Sequence, residues 1–353
     1  MAYTAIDDPS AHFHTQLWTG NASNPRNITN DANAGDFQPD IIWKKRRDDT
    51  NEPGLWDSQR AGTYAFYTHG SDNEIADNAM NAFQSNGWQI NSNGMNTNNA
   101  TYVAWQWKVN GGTSTGSGSE SGNNPAYNHQ ANTTAGISIV TFTGTGSAGT
   151  VTHGLGATPA FIMVKNRTND SRNWQVYHHQ NTSAPETDVL QLNLTNATED
   201  YAGSWNDTAP TSTVFTVGSG SSSNEDSANL IAYLWTPIKG YSHFGRYEGS
   251  GNADGPFVYT GFKPAFVLIK RIDGAENWAI NDNKRTAYNP RAGYLSPDST
   301  NAETSAAVQD FLSNGFKIRQ TGAVFNTSGD TYIYAAFAES PFVTSGGVPC
   351  TAG

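Results

Sequence analysis

Gly261-Phe-Lys-Pro-Ala-Phe-Val-Leu-Ile-Lys-Arg271 reads as the opening of a buried strand, and the chain writes it three times. Gly156-Ala-Thr-Pro-Ala-Phe-Ile-Met-Val-Lys-Asn166 and Gly35-Asp-Phe-Gln-Pro-Asp-Ile-Ile-Trp-Lys-Lys45 follow the same plan. In each, a proline precedes an apolar run, and a lysine stands six residues after the proline: Pro264/Lys270, Pro159/Lys165 and Pro39/Lys45. Proline fixes φ and donates no hydrogen bond, which suits the first position of a strand. The β-branched and large apolar residues behind it suit a strand interior. Three copies of one opening make this a repeat protein before anything else.

Other features recur in the same order. An aromatic-polar-Gly turn stands near Leu17-Trp-Thr-Gly20, Thr141-Phe-Thr-Gly144 and Arg246-Tyr-Glu-Gly249, and the signature proline follows 19, 15 and 15 residues later. A tryptophan segment comes next, with Trp56, Trp174 and Trp278 read as equivalent core residues, and it is expected to pair with the signature strand as a hairpin. Each unit closes on an alternating aromatic strand: Thr101–Trp107, Asn229–Trp235 and Thr331–Phe337. Period-2 alternation predicts one buried face. Ser71-Asp-Asn-Glu74 and Thr300-Asn-Ala-Glu303 fit a capping box and predict one short helix in modules 1 and 3, ahead of the turns at Phe83–Trp88 and Phe311–Phe316.

The expected architecture is all-β, a tandem array of three related β-sandwich, jelly-roll-like modules. Its divisions are a lead-in (1–15), repeat 1 (16–110), a Gly/Ser/Asn-rich linker (111–134), repeat 2 (135–239), repeat 3 (240–340) and a tail (341–353). The linker holds hardly an apolar group and cannot offset its own ordering entropy. Only Pro237-Ile-Lys-Gly240 separates repeats 2 and 3. Those two should therefore form a rigid pair, with module 1 on a tether.

Composition limits function. A net charge of −11 disfavours a general nucleic-acid binder, and the basic run Lys44-Lys-Arg-Arg47 runs straight into Asp48-Asp49, as a solvated strand end would. The single cysteine, Cys350, permits neither an intrachain disulfide nor a cysteine zinc site. No secretory signal and no apolar run of membrane-spanning length is visible. Gly144–Gly149 matches GxGxxG, but the strand-like Thr150-Val-Thr-His153 behind it points to a turn. Gly112–Gly116 matches the GxSxG elbow by chance, with no strand before it. His12/His14 and His178/His179 lack helical zinc spacing. Asp57 and Asp282 are the foremost carboxylates for glycosidase chemistry, against the plainer reading of solvated strand-end acids. No catalytic, cofactor-binding or metal residue is assigned.

The chain resembles a domain of unknown function that recurs in virion proteins of bacteriophages, many of them marine. The resemblance rests on Gly20, Gly144 and Gly249, on the 261–271 strand, on the turns at Phe83 and Phe311, and on Thr101-Tyr-Val-Ala-Trp105, and it covers nearly all of 16–340. Repeat 2 departs from it at the capping-box segment. It implies a non-enzymatic virion structural protein, of tail-fibre or adhesin type or a capsid decoration, assembled in the host cytoplasm. The partners implied are other virion proteins and further copies of itself, with a host surface glycan as a candidate. The different-class alternative is a carbohydrate-binding protein or an enzyme acting on a host surface polysaccharide.

Overall fold

The computed structural model describes residues 3–31, 36–60, 63–110 and 116–350. Module 1 contains β1 (Phe13–Thr19), β2 (Arg26–Ile28), β3 (Ile41–Arg46), β4 (Gly54–Asp57), β5 (Tyr64–Tyr67), β6 (Ile75–Ala76), β7 (Met80–Gln84), β8 (Gly87–Ile90) and β9 (Thr101–Trp107). The order β1-β9-β3-β4-β5-β6 makes a large sheet, and β2-β8-β7 a small one. Module 2 contains β10 (Gly116–Gly118), β11 (Tyr127–Asn132), β12 (Ile137–Thr143), β13 (Gly149–Thr152), β14 (Phe161–Asn166), β15 (Gln175–His178), β16 (Asp188–Gln191), β17 (Glu199–Asp200), β18 (Val214–Val217) and β19 (Asn229–Trp235). Its large sheet runs β10-β11-β12-β19-β14-β15-β16-β17, with β13-β18 opposite. Module 3 contains β20 (Ser242–Glu248), β21 (Phe257–Tyr259), β22 (Phe262–Arg271), β23 (Ala279–Asp282), β24 (Arg291–Ala292), β25 (Ala307–Leu312), β26 (Gly315–Ile318) and β27 (Thr331–Pro341), ordered β20-β27-β22-β23 and β21-β26-β25-β24.

The fold is therefore all-β and built from three related two-sheet sandwiches. The signature strands pair antiparallel with the tryptophan segments as hairpins. The closing strand of each unit, however, has both faces buried rather than one. In β9, Tyr102 and Ala104 enter the sandwich core of module 1, while Val103, Trp105 and Trp107 enter a second cluster. The same split divides Leu230/Ala232/Leu234 from Ile231/Tyr233/Trp235, and Tyr332/Tyr334/Ala336 from Ile333/Ala335/Phe337. Alternation on these strands marks two different cores, not an inside and an outside.

That second cluster is common to all three modules. The large sheets turn their backs to one another, and Trp107 lies 6.2 Å from Trp235, 5.6 Å from Phe266 and 5.5 Å from Phe337. Burying each such ring contributes about 1.5–3 kcal/mol. Module 1 is thus not tethered to a separate 2–3 pair. The tether reading fails because a polar segment can be ordered by backbone pairing. Within the expected linker, β11 adds to the edge of β12, and β10 to β11. The lead-in likewise gives Phe13, His14 and Thr15 to β1, and the tail gives Pro341 to β27.

The short helices expected in modules 1 and 3 are absent there among the described residues. Strands β7 and β25 occupy those stretches as hairpins with β8 and β26. The two short helices, Ala202–Trp205 and Ser221–Asn224, lie in module 2. The capping-box glutamates satisfied a local pattern, but tertiary ion pairs claim them instead.

Register corrects one equivalence. Ile41, Phe161 and Phe266 pair with Asp57, His178 and Asp282. Trp174 and Trp278 therefore stand at matching positions before their strands and enter the shared core, whereas Trp56 lies three residues further along and enters the core of module 1.

Candidate functional site

The residues that make the three sandwiches one body lie where their large sheets meet. On each signature strand the axial face carries every second residue: Ile41 and Trp43, Phe161 and Met163, Phe266 and Leu268. The next residue in that register is the signature lysine. Each lysine is buried, at 1 % exposure or less. Lys45 donates to Asn51 O of its own module at 2.6 Å and to Ser299 O of module 3 at 2.8 Å. Lys165 donates to its own Arg172 O and to Ser71 O of module 1 at 3.0 Å. Lys270 donates to its own Glu276 O at 2.6 Å and to Thr195 O of module 2 at 2.9 Å. The three joints close a ring: module 1 holds 3, module 3 holds 2, and module 2 holds 1. Burial pushes Lys45 and Lys165 down to about 7, and Lys270 to about 8. A neutral amine still donates two hydrogen bonds, so the joints survive deprotonation.

A second set of joints involves the position after the tryptophan segment. Asp57 is fully buried, bonded to Arg60 at 2.6 Å, and accepts the hydroxyl of Tyr233 from module 2 at 2.6 Å. Asp282 is bonded to Arg285 at 2.5 Å and accepts the indole N–H of Trp105 from module 1 at 3.0 Å. Burial raises the Asp282 carboxyl, but Arg285 outweighs it and the net shift is downward. Each arginine reaches a capping-box glutamate that also grips the neighbouring module. Glu74 takes Arg60 at 3.4 Å and Arg167 at 2.8 Å, and Glu303 takes Arg285 at 2.9 Å and Arg47 at 2.7 Å. Neither aspartate is a solvated strand-end acid: each is engaged in an ion pair with an arginine of its own module and accepts a hydrogen bond across the interface.

The module 2–3 interface is different. His178 stands where the aspartates stand, and its Nε2 meets Tyr334 O at 3.1 Å. His179 Nε2 meets Phe244 O at 2.8 Å, and His243 Nδ1 meets the Tyr334 hydroxyl at 2.8 Å. Burial, reinforced by His179, pushes His178 down to about 3. In place of the arginine–glutamate link, Thr198 N donates to Ile272 O at 3.0 Å. Two interfaces are ionic, and the third rests on histidines.

The remaining sequence candidates fall into place around these joints. The basic run is not a solvated strand end: Lys44 and Lys45 are buried, Arg46 pairs with Asp48 and Asp49, and Arg47 pairs with Glu303. The GxGxxG segment is a crossing from β12 to β13, without a helix. Of the GxSxG match, only Gly116 falls within the described residues. His14 is buried beside Gln16 at 3.2 Å, and His12 lies against Tyr241. Among the described residues, no group of three His, Cys, Asp or Glu side chains is placed to hold a metal.

Sequence reading missed one repeated residue. Asn96, Asn224 and Asn326 are all fully buried. Their side-chain oxygens accept from Asn21 N, Thr145 N and Ser250 N, and their amides donate to Ser23 O, Ser147 O and Asn252 O. Each staples the turn glycine's loop to the residues before the closing strand. The signal was an asparagine five residues ahead of Thr101, Asn229 and Thr331, hidden by the abundance of asparagine. The turn glycines answer to the same contact. A Cβ on Gly20, Gly144 or Gly249 would sit 1.9, 2.1 or 2.1 Å from the carbonyl oxygen of Thr97, Glu225 or Thr327.

Fold and joints together define a single-chain, cyclic three-module β-sandwich body, with the three buried signature lysines engaged between modules. The chain belongs to the family described as a domain of unknown function, DUF7483, whose model matches residues 8–341 and so spans all three modules. Neither the curated proteins nor the solved structures give a match.

Proposed function

We propose that this chain is a non-enzymatic structural protein of a bacteriophage particle, exposed on the virion as a tail-fibre or adhesin-type tip or as a capsid decoration. The observation that carries this reading is the closed ring of three lysine joints around one aromatic core. Such a body presents three related faces from one chain and is stabilised without disulfides, which suits particles assembled in a reducing cytoplasm and later exposed outside it. The resemblance of the repeated motifs to phage virion domains supplies the setting. Partners in this reading are other virion proteins and further copies of the chain. The engagement of Asp57 and Asp282 in buried ion pairs weighs against the polysaccharide-cleaving alternative.

Labelled-antibody electron microscopy of purified particles, with mass spectrometry of separated heads and tails, tests it. Signal at the tail tip supports an adhesin, and signal spread over the head supports a decoration. Absence of the chain from particles overturns the proposal.

A further inference from the structure

Strand β21 shows an aromatic surface that its counterparts lack. Val258 enters the core of module 3, so Phe257 and Tyr259 point outward by the two-residue alternation of a strand. They stand 46 % and 59 % exposed. The repeat supplies the comparison: Phe257 pairs with Lys317 as Asn27 pairs with Gln89 and Thr150 with Thr216. In the same register Tyr259 answers to Thr29 and Thr152. Modules 1 and 2 thus keep this face polar, and module 3 makes it aromatic. Tyr259 also forms part of the wall of a pocket of about 580 Å³. Strand extensions peculiar to module 3 build it. β22 starts at Phe262, ahead of Phe266, the counterpart of the Phe161 that opens β14. β27 runs on through Ala338–Pro341, past Phe337, the counterpart of the last residue of β19, Trp235. Phe342, just beyond, lines the pocket with Pro237 of the join between modules 2 and 3 and with Tyr3 of the lead-in, which is 62 % exposed.

The lining selects a chemistry. Tyr3, Tyr259 and Phe342 offer rings that already face water, so a ligand that covers them gains by the apolar area it buries. His243 presents a polar atom to the same space. Its Nδ1 meets the Tyr334 hydroxyl at 2.8 Å, and its Nε2 has no hydrogen-bond partner among the described residues. Burial, reinforced by the neighbouring His179, holds this imidazole below the ordinary histidine value, so it is neutral at pH 7. A purely apolar ligand would cover Nε2 and leave it unpaired. Among the described residues no carboxylate lines the pocket, and its one charged residue, Lys239, already has a partner. A cation would find no counter-charge there, and an anion would find only an engaged lysine and a neutral imidazole. We propose that this pocket binds a neutral saccharide, with a sugar ring laid against Tyr259 and a hydroxyl bonded to His243 Nε2. A sugar joins an apolar ring face to hydroxyls that both donate and accept, and so serves either tautomer of the imidazole. The volume lies within the range of small-molecule sites. The proposal is independent of the virion assignment, because particle localisation can fail while sugar binding holds.

The test is saturation-transfer NMR of the full chain with maltose, cellobiose, lactose, N,N′-diacetylchitobiose and, as an anionic probe, N-acetylneuraminic acid. It is repeated on Tyr259→Ala, Tyr259→Phe, His243→Asn and Tyr201→Ala, the last an exposed tyrosine of module 2. The expected result is transfer to at least one of the four neutral sugars, with affinity lowered about tenfold or more (about 1.4 kcal/mol) in Tyr259→Ala. His243→Asn keeps an amide where Nδ1 meets Tyr334 but removes Nε2, and should weaken binding as well. Tyr259→Phe, which keeps the ring, and Tyr201→Ala, which lies elsewhere, should bind as wild type does. No transfer to any neutral sugar overturns the proposal, and so does transfer to N-acetylneuraminic acid alone. Binding unchanged in Tyr259→Ala, or lowered equally in Tyr201→Ala, overturns it too.

Discussion

Lys165, the last axial residue of the second signature strand, places its ammonium 3.0 Å from Ser71 O across the boundary between modules 2 and 1. The contact joins a residue conspicuous in the sequence to Ser71, which the sequence presents only as the start of a helix-capping pattern. Lys165→Met removes the donor and leaves the part-buried carbonyl of Arg172 without it, while Ser71 O keeps the N–H of Arg172 at 3.2 Å. A loss of about 1–3 kcal/mol is expected, for one unsatisfied group. Urea denaturation of wild type and variant measures it, and a change within about 0.5 kcal/mol, the range of ordinary surface substitutions, would remove the lysine ring from the account of stability.

Because one aromatic cluster serves all three modules, unfolding should be a single transition. Trp107→Ala should cost about 3–5 kcal/mol and lower the midpoint of the whole molecule. Circular dichroism and tryptophan fluorescence should report the same midpoint in wild type and variant. Separate transitions for separate modules would show that the shared core is not cooperative.

Asp57→Asn and Asp282→Asn should act on stability. Each leaves a buried arginine, Arg60 or Arg285, with a glutamate, Glu74 or Glu303, as its remaining partner, so the loss should stay below the roughly 3–5 kcal/mol of an uncompensated buried charge. The check is thermal unfolding alongside an assay for polysaccharide cleavage. Cleavage by wild type, abolished in a variant of unchanged stability, would return these carboxylates to a catalytic role.

Acid should weaken the histidine interface first. His178 is held down to about 3 in the fold, against an ordinary value near 6.5, chiefly by burial. Between those values the unfolded chain binds more protons than the folded one, so stability rises with pH across the window. The contribution is complete above about pH 6.5 and is lost as pH falls toward 3, with a limiting slope of about 1.4 kcal/mol per pH unit from this one group. His153, held to about 4, adds to the same limb from inside module 2. Denaturation midpoints from pH 7 to 4 should fall, and His178→Gln should flatten the slope. An identical slope in that variant would place the acid sensitivity elsewhere.

The repeat, the strands and their pairing were legible locally, because a proline, an apolar run and a turn glycine act on their own backbone. The signature lysines were visible too, though not their purpose: a lysine ending an apolar run has the same appearance whether it meets water or a neighbour's carbonyls. Glu74 and Glu303 carried a helix-capping pattern that Arg167 and Arg47 overrode from another module. The polar 116–134 stretch read as a tether because its order comes from the edge of β12, not from its own side chains. Local sequence thus determined three sandwiches. Tertiary structure decided that they close into one ring, because that outcome depends on which residues of different modules meet, and burial on the second face of a strand is a property of the neighbour.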